Sequence, residues 1–100
     1  MIHGDESLTA DNLPAVDRLC EESLAGGQPR AVLDLSRVPL FDSAGLEWLL
    51  DVQQKFVERG GALKLAAANP LCRDILSVTG VDRHFELFGD PITAAGSFAR

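Results

Sequence analysis

The sequence predicts an α/β domain, a largely parallel sheet of about four strands with helical cover. Two observations carry that expectation. Short apolar runs suited to strands alternate with stretches whose apolar residues recur at helical spacing. Glycine, proline and Asx residues punctuate the junctions, where caps and turns belong. One hundred residues are enough for one small domain with a modest core, and residues 1–100 carry no linker, repeat or low-complexity tract.

The elements follow in order. A brief strand ends near Gly4. Asp11 or Asn12 caps a helix running to about Leu24, with Pro14 in its first turn, where proline is tolerated. Leu13, Val16, Leu19, Cys20 and Leu24 give this helix one apolar face, and Ala25-Gly26-Gly27-Gln28-Pro29 ends it. Ala31-Val32-Leu33-Asp34-Leu35-Ser36 is a strand covered on both faces. A connector leads to a helix over about 44–59, carried by Leu46, Leu49, Leu50, Phe56 and Val57 and closed by Gly60-Gly61 as a left-handed cap. Ala62-Leu63-Lys64-Leu65-Ala66-Ala67 is the next strand. Asn69-Pro70 opens a helix through Ile75, Leu76 and Val78 that Gly80 stops. Phe85-Glu86-Leu87-Phe88 is a short last strand, and Asp90-Pro91 starts a closing helix over Ile92, Ala95 and Phe98.

Composition narrows the function. A net charge of −6 and scattered basic residues argue against nucleic acid, which requires clustered Lys and Arg. No apolar run approaches the roughly 18 residues that cross a membrane, and Met1-Ile2-His3-Gly4-Asp5-Glu6 lacks the regions of a secretory signal. The expected location is the cytoplasm. Cys20 and Cys72 lie on separate helices with no CxxC and no companion histidines, as buried free thiols do. No metal-ligand spacing or glycine-rich phosphate loop stands out, so no cofactor is expected.

The stretch Phe41-Asp42-Ser43-Ala44-Gly45-Leu46 is the most informative, because a buried strand there hands over to a long helix. Ser43 falls at or next to the helix N-terminus, among unpaired backbone N–H groups. Such a place suits a serine as a cap, and it also suits a phosphate. Asp42 orients the turn through nearby N–H groups or meets a partner. Gly45 lets a partner approach or relieves packing in the first turn. Asp34, in an apolar strand, is either at the strand end near the turn or a satisfied buried carboxylate, and the structural role is the one expected. Trp48 projects away from the Leu46–Leu50–Val57 face with Val52 one turn beyond, which makes an outer apolar pair suited to a partner, or else a pair lodged under a neighbouring segment.

These residues resemble the STAS domain family, named for sulphate transporters and anti-sigma factor antagonists. The resemblance rests on Val32-Leu33-Asp34-Leu35-Ser36, the Phe41–Leu46 turn, Arg59-Gly60-Gly61, Leu76-Ser77-Val78-Thr79-Gly80-Val81-Asp82 and Phe85-Glu86-Leu87-Phe88, and covers roughly residues 31–95. It implies a small domain with helices mainly on one side of the sheet. It also implies that the serine matching Ser43 is phosphorylated by the partner, an anti-sigma factor with serine kinase activity, and reset by a serine phosphatase. Asp42, Ser43, Ala44 and Gly45 become the expected partner-binding turn, with Trp48 added from its helical position. The family's usual first strand has no counterpart before Gly4: either the sequence starts late, or the sheet lacks an edge strand, and an uncovered edge would invite pairing and hence a homodimer.

Two other readings compete. A small STAS protein that stabilises the ATPase of a bacterial phospholipid-transport ABC complex is a constitutive subunit. That group tends to carry Asp-Thr-Gly-Gly where this chain has Asp42-Ser43-Ala44-Gly45, so the serine favours the switch; a stress-signalling scaffold is a further alternative. A hydrolase would need Ser43 as nucleophile with His84 and Asp82 or Asp90 completing a triad. Phe41 stands where the nucleophile elbow has glycine, and Asp82 lies only two residues from His84. The expectation is a binding module, not an enzyme.

Overall fold

The computed structural model describes residues 2–4, 7–25 and 29–98. Its elements are β1 (Ile2–His3), α1 (Leu13–Leu24), β2 (Arg30–Asp34), α2 (Ser43–Glu58), β3 (Ala62–Ala66), α3 (Pro70–Thr79), a 3-10 turn (Val81–His84), β4 (Leu87–Phe88) and α4 (Pro91–Ser97). The four strands pair in the order β1-β2-β3-β4, all parallel. Leu33 lies opposite Leu65, and Val32 opposite Lys64. Alternate residues therefore face opposite sides of the sheet.

One side holds the main core. Leu33, Leu35, Leu63 and Leu65 meet Val16, Cys20 and Leu24 of α1, Leu49, Val52 and Phe56 of α2, and Cys72 and Leu76 of α3. The other side is thinner, with Val32 and Ala66 packed against Ala94 of α4 and flanked by Phe88 and Phe98. The expected α/β architecture, with helices mainly on one side, is the one observed. Cys20 and Cys72 are both buried and free. Burial, with Asp17 and Glu21 close by, pushes the Cys20 thiol up to about 12, so it packs as a small apolar side chain.

The caps agree with the punctuation. Asn69 and Asp90 accept the N–H groups of Cys72 and Thr93 to start α3 and α4. Gly60 takes φ 77° after α2, a conformation that costs a glycine little. Asn12 occupies the N-cap position of α1 without capping it; its side-chain amide donates to Ser7 O at 2.9 Å. Part of the expected ending of α1 falls on residues 26–28, outside the described residues.

Several expectations about individual elements require correction. The strand expected over 31–36 ends at Asp34, because the Asp34 carboxylate takes the Ser36 N–H at 2.9 Å and turns the chain. The strand expected over 85–88 is only Leu87–Phe88, the 3-10 turn having used the chain up to His84. In α4 the buried residue is Ala94, whereas Ile92 is 82% exposed and Ala95 also faces outward. Leu19, Val57 and Val78, each assigned to an apolar face, are exposed. In each case the spacing suits a helix, but the apolar arc is wider than the neighbours that cover it. β1 and β4 are the sheet edges among the described residues, and at two residues each they are short templates for another strand.

Candidate functional site

The turn between β2 and α2 is built from both sides. Asp34 ends β2 with its carboxylate on Ser36 and with His3 Nδ1 3.0 Å from Oδ2. Burial pushes its pKa up, but the hydrogen bonds from Ser36 and His3 outweigh that and hold it below the usual carboxylate value. Asp34 is thus a satisfied structural carboxylate at the strand end. Further along, Val38 O accepts the side chain of Asn69 at 3.2 Å, which ties the connector to the start of α3.

Phe41 is then caught by a segment from the other side of the chain. Leu8 N–H donates to Leu40 O at 3.1 Å, and Asp42 N–H donates to Leu8 O at 3.3 Å, a parallel bridge around Phe41. Leu8 is fully buried. A Cβ on Gly45 would stand 2.0 Å from Leu8 O, so only glycine admits this strap against the first turn of α2. Of the two roles open to Gly45, packing within the turn is therefore the one the geometry gives. Leu8 is a functional-site residue that sequence reasoning missed. A single leucine in a polar stretch has no periodicity, and the only signal was the isolated apolar residue itself.

Asp42 is the N-cap of α2, with extended backbone and Oδ1 accepting Gly45 N–H at 2.8 Å. Ser43 is therefore not the cap. It is the first residue of the helix, exposed, and its hydroxyl has no hydrogen-bond partner among the described residues. Ala44 beside it is half-buried.

Trp48 and Val52 do not form an outer pair. Val52 is 1% exposed and belongs to the main core, while Trp48 is half-buried between α2 and α1, its indole N–H donating to Asp17 at 2.8 Å. The true centre of the buried arc is Leu49, Val52 and Phe56, roughly 110° around the helix from the Leu46–Leu50–Val57 stripe at about 100° per residue. Centring the face on that stripe placed Val52 on the wrong side.

The hydrolase constellation does not assemble. The side chain of Gln53 donates to His84 O at 2.8 Å, which places His84 beside the middle of α2. Ser43 lies ten residues earlier on the same helix, about 15 Å along its axis. Among the described residues no cluster of His, Cys, Asp or Glu is spaced to hold a metal, and no helix is long and apolar enough to cross a membrane.

At the head of α2 the structure thus presents an Asx-capped helix following a parallel strand, with an exposed serine as its first residue. A family profile described as "Mlab, STAS domain" matches residues 2–89. The chain belongs to the STAS domain family. Solved structures of the same fold include a candidate anti-sigma factor antagonist from Thermotoga maritima, 24% identical, with a TM-score of 0.86 over 96% of this chain and 83% of that one. An anti-sigma-factor antagonist (STAS) domain protein from Planctomyces limnophilus is 24% identical, with a TM-score of 0.81 over 93% of this chain and 81% of that one. The murine Solute Carrier 26 family member A9 anion transporter is 17% identical, with a TM-score of 0.81 over 93% of this chain but only 16% of the transporter. At these identities the likeness is one of fold. No curated protein matches the chain by sequence. STAS domain proteins are regulatory binding modules.

Proposed function

We propose that this STAS chain is a phospho-regulated binding module, an anti-sigma factor antagonist that sequesters an anti-sigma factor with serine kinase activity while Ser43 is unmodified. Phosphorylation of Ser43 releases that partner, and a serine phosphatase resets the chain. The observation that carries the reading is the condition of Ser43. It stands exposed at the start of α2, with its hydroxyl free among the described residues because Asp42 does the capping. The chain supplies the acceptor hydroxyl and needs no cofactor. ATP, Mg²⁺ and the catalytic base belong to the kinase, and the exchange takes place in the cytoplasm.

The physical effect of the phosphate follows from the cap. A charge of about −1.5 to −2 at the positive end of a helix is tolerated, so α2 stays folded. The Gly45 N–H is already bonded to Asp42, however, so a phosphate on the exposed Ser43 stands beside a carboxylate. Its bulk and charge act on the docking partner. Asp42 and Ala44 complete the contact surface, and Trp48 supports it from the seam with α1.

The description of the matching profile, "Mlab, STAS domain", favours a second reading. In it the chain is a constitutive subunit seated on the ATPase of a phospholipid-transport ABC complex, and Ser43 is an ordinary docking residue. Membership of a stress-signalling scaffold, or a homodimer through the β1 edge, would add further copies without changing the site. A pull-down from native extract with wild-type and Ser43→Asp baits, read by mass spectrometry, separates the readings. The expected result is a serine kinase held by wild type and lost with Ser43→Asp, both baits showing the same circular dichroism. An ABC-transporter ATPase held equally by both would put the second reading in its place.

A further inference from the structure

The side of α2 away from α1 carries a stripe that nothing in the fold covers fully. Ser43, Leu46, Leu50 and Val57 recur at intervals of three, four and seven, so they run along one side of the helix. Leu46 and Leu50 are half-buried at the margin of the core, and Val57 is 59% exposed. Beside them lies an open groove of about 500 Å³, lined by Leu50, Gln53, Gln54, Val57, Glu58 and His84. From Leu46 to Val57 the stripe spans about 17 Å, three turns of helix.

The next row along the helix surface is Glu47, Asp51 and Glu58, all exposed. None of the three forms an ion pair among the described residues. Lys55, the one lysine of the helix, borders Asp51 and Glu58 on the side nearer α1, where its ammonium pairs with Glu21 at 3.0 Å, and Glu58 accepts from the Gln54 side chain at 3.1 Å. The groove thus has Leu50 and Val57 on its floor, Glu58 at its edge with Glu47 and Asp51 continuing that acidic rail along the helix beyond it, and His84 on its other wall.

We infer that this flank docks an amphipathic helix of the protein partner, laid along α2 with aliphatic side chains in the groove and Lys or Arg over Glu47, Asp51 and Glu58. The flank of a helix offers no free backbone groups, so a docked strand would leave its own N–H and C=O groups unpaired, whereas a helix satisfies them internally. A second copy of the chain would bring its own acidic rail against this one, like charge against like. The acidic rail equally disfavours an anionic membrane surface or a nucleic acid. The inference rests on the proposed reading of the chain as a protein-binding module and supplies the chemistry of its partner. It also gives Ser43 a mechanical position, because a phosphate at the head of the stripe must be desolvated when the helix seats, with Glu47 one turn away.

The test uses the full chain labelled with ¹⁵N and two synthetic helical peptides that share one leucine stripe, one flanked by lysines and the other by glutamates. The lysine peptide is expected to shift the amides of residues 46–58 and to bind about tenfold more tightly or better, with the difference shrinking as salt is raised. Val57→Asp, at an exposed position that leaves the fold alone, should weaken it about tenfold. Reversing the rail with Glu47→Lys, Asp51→Lys and Glu58→Lys should transfer the preference to the glutamate peptide. Equal binding of both peptides, shifts confined to another face, or self-association of the free chain that Val57→Asp abolishes would each overturn the inference. If the peptides behave as expected while Ser43→Asp retains its cellular partner, the docking flank stands and the phospho-switch falls. The reverse pattern leaves the switch and removes the flank.

Discussion

On the flank of α2 that faces α1, the indole N–H of Trp48 donates to Asp17 and the ammonium of Lys55 pairs with Glu21. Just past the end of the helix, Arg59 donates to the Leu24 carbonyl. On the opposite flank Leu46, Leu50 and Val57 stand half open or exposed, with no polar end to satisfy. The closed seam uses side chains that are apolar along their length and polar at the tip, which lets them cover a neighbouring helix and still find partners at its rim. The open flank uses aliphatic side chains, which need only be covered. The difference teaches that exposed apolar residues on α2 and buried ones serve separate ends: one flank holds the domain together, and the other is available to a partner.

The largest effect should come from the seam. Trp48→Ala removes a half-buried indole and orphans the Asp17 contact, and it should cost about 3 kcal/mol in urea unfolding, at the low end of large aromatic truncations. A loss below the scatter of surface substitutions would break the comparison, since Trp48 would then contribute nothing to holding α1. Asp42→Ala sits where the two flanks meet at the head of the helix. Loss of the Gly45 cap should cost about 1 kcal/mol, and hydrogen exchange should show fraying confined to the first turn of α2. The smallest effect belongs to the open flank, where Val57→Ala should change stability by no more than about 0.5 kcal/mol. A larger loss would mean that the groove is already closed by the domain itself.

Much of the fold was legible before any coordinates. The strand at 30–34, the strand at 62–66 and the four helices follow from apolar spacing and from Asn69-Pro70, Asp90-Pro91, Gly60 and Gly80, because caps and periods act through neighbouring residues. The turn at 41–46 was legible as a strand-to-helix junction for the same reason. The sequence left the capping role open between Asp42 and Ser43, two adjacent residues able to do the same work; only the backbone at Asp42, extended with ψ −177°, decides which side chain reaches Gly45. Leu8 was invisible because its partners, Leu40 and Asp42, lie more than thirty residues away.

By itself the sequence determined the order and type of the elements, the position of the β2–α2 turn and the presence of a serine at its head, since each depends on contacts within a few residues along the chain. The tertiary structure alone decided that Val52 lies in the core and Val57 outside it, that Gly45 makes room for Leu8, and that α1 closes one flank of α2 and leaves the other open. A helical period specifies a set of apolar directions. Which of them is covered depends on where the neighbouring helices and strands come to rest, and that is settled by packing across the whole chain.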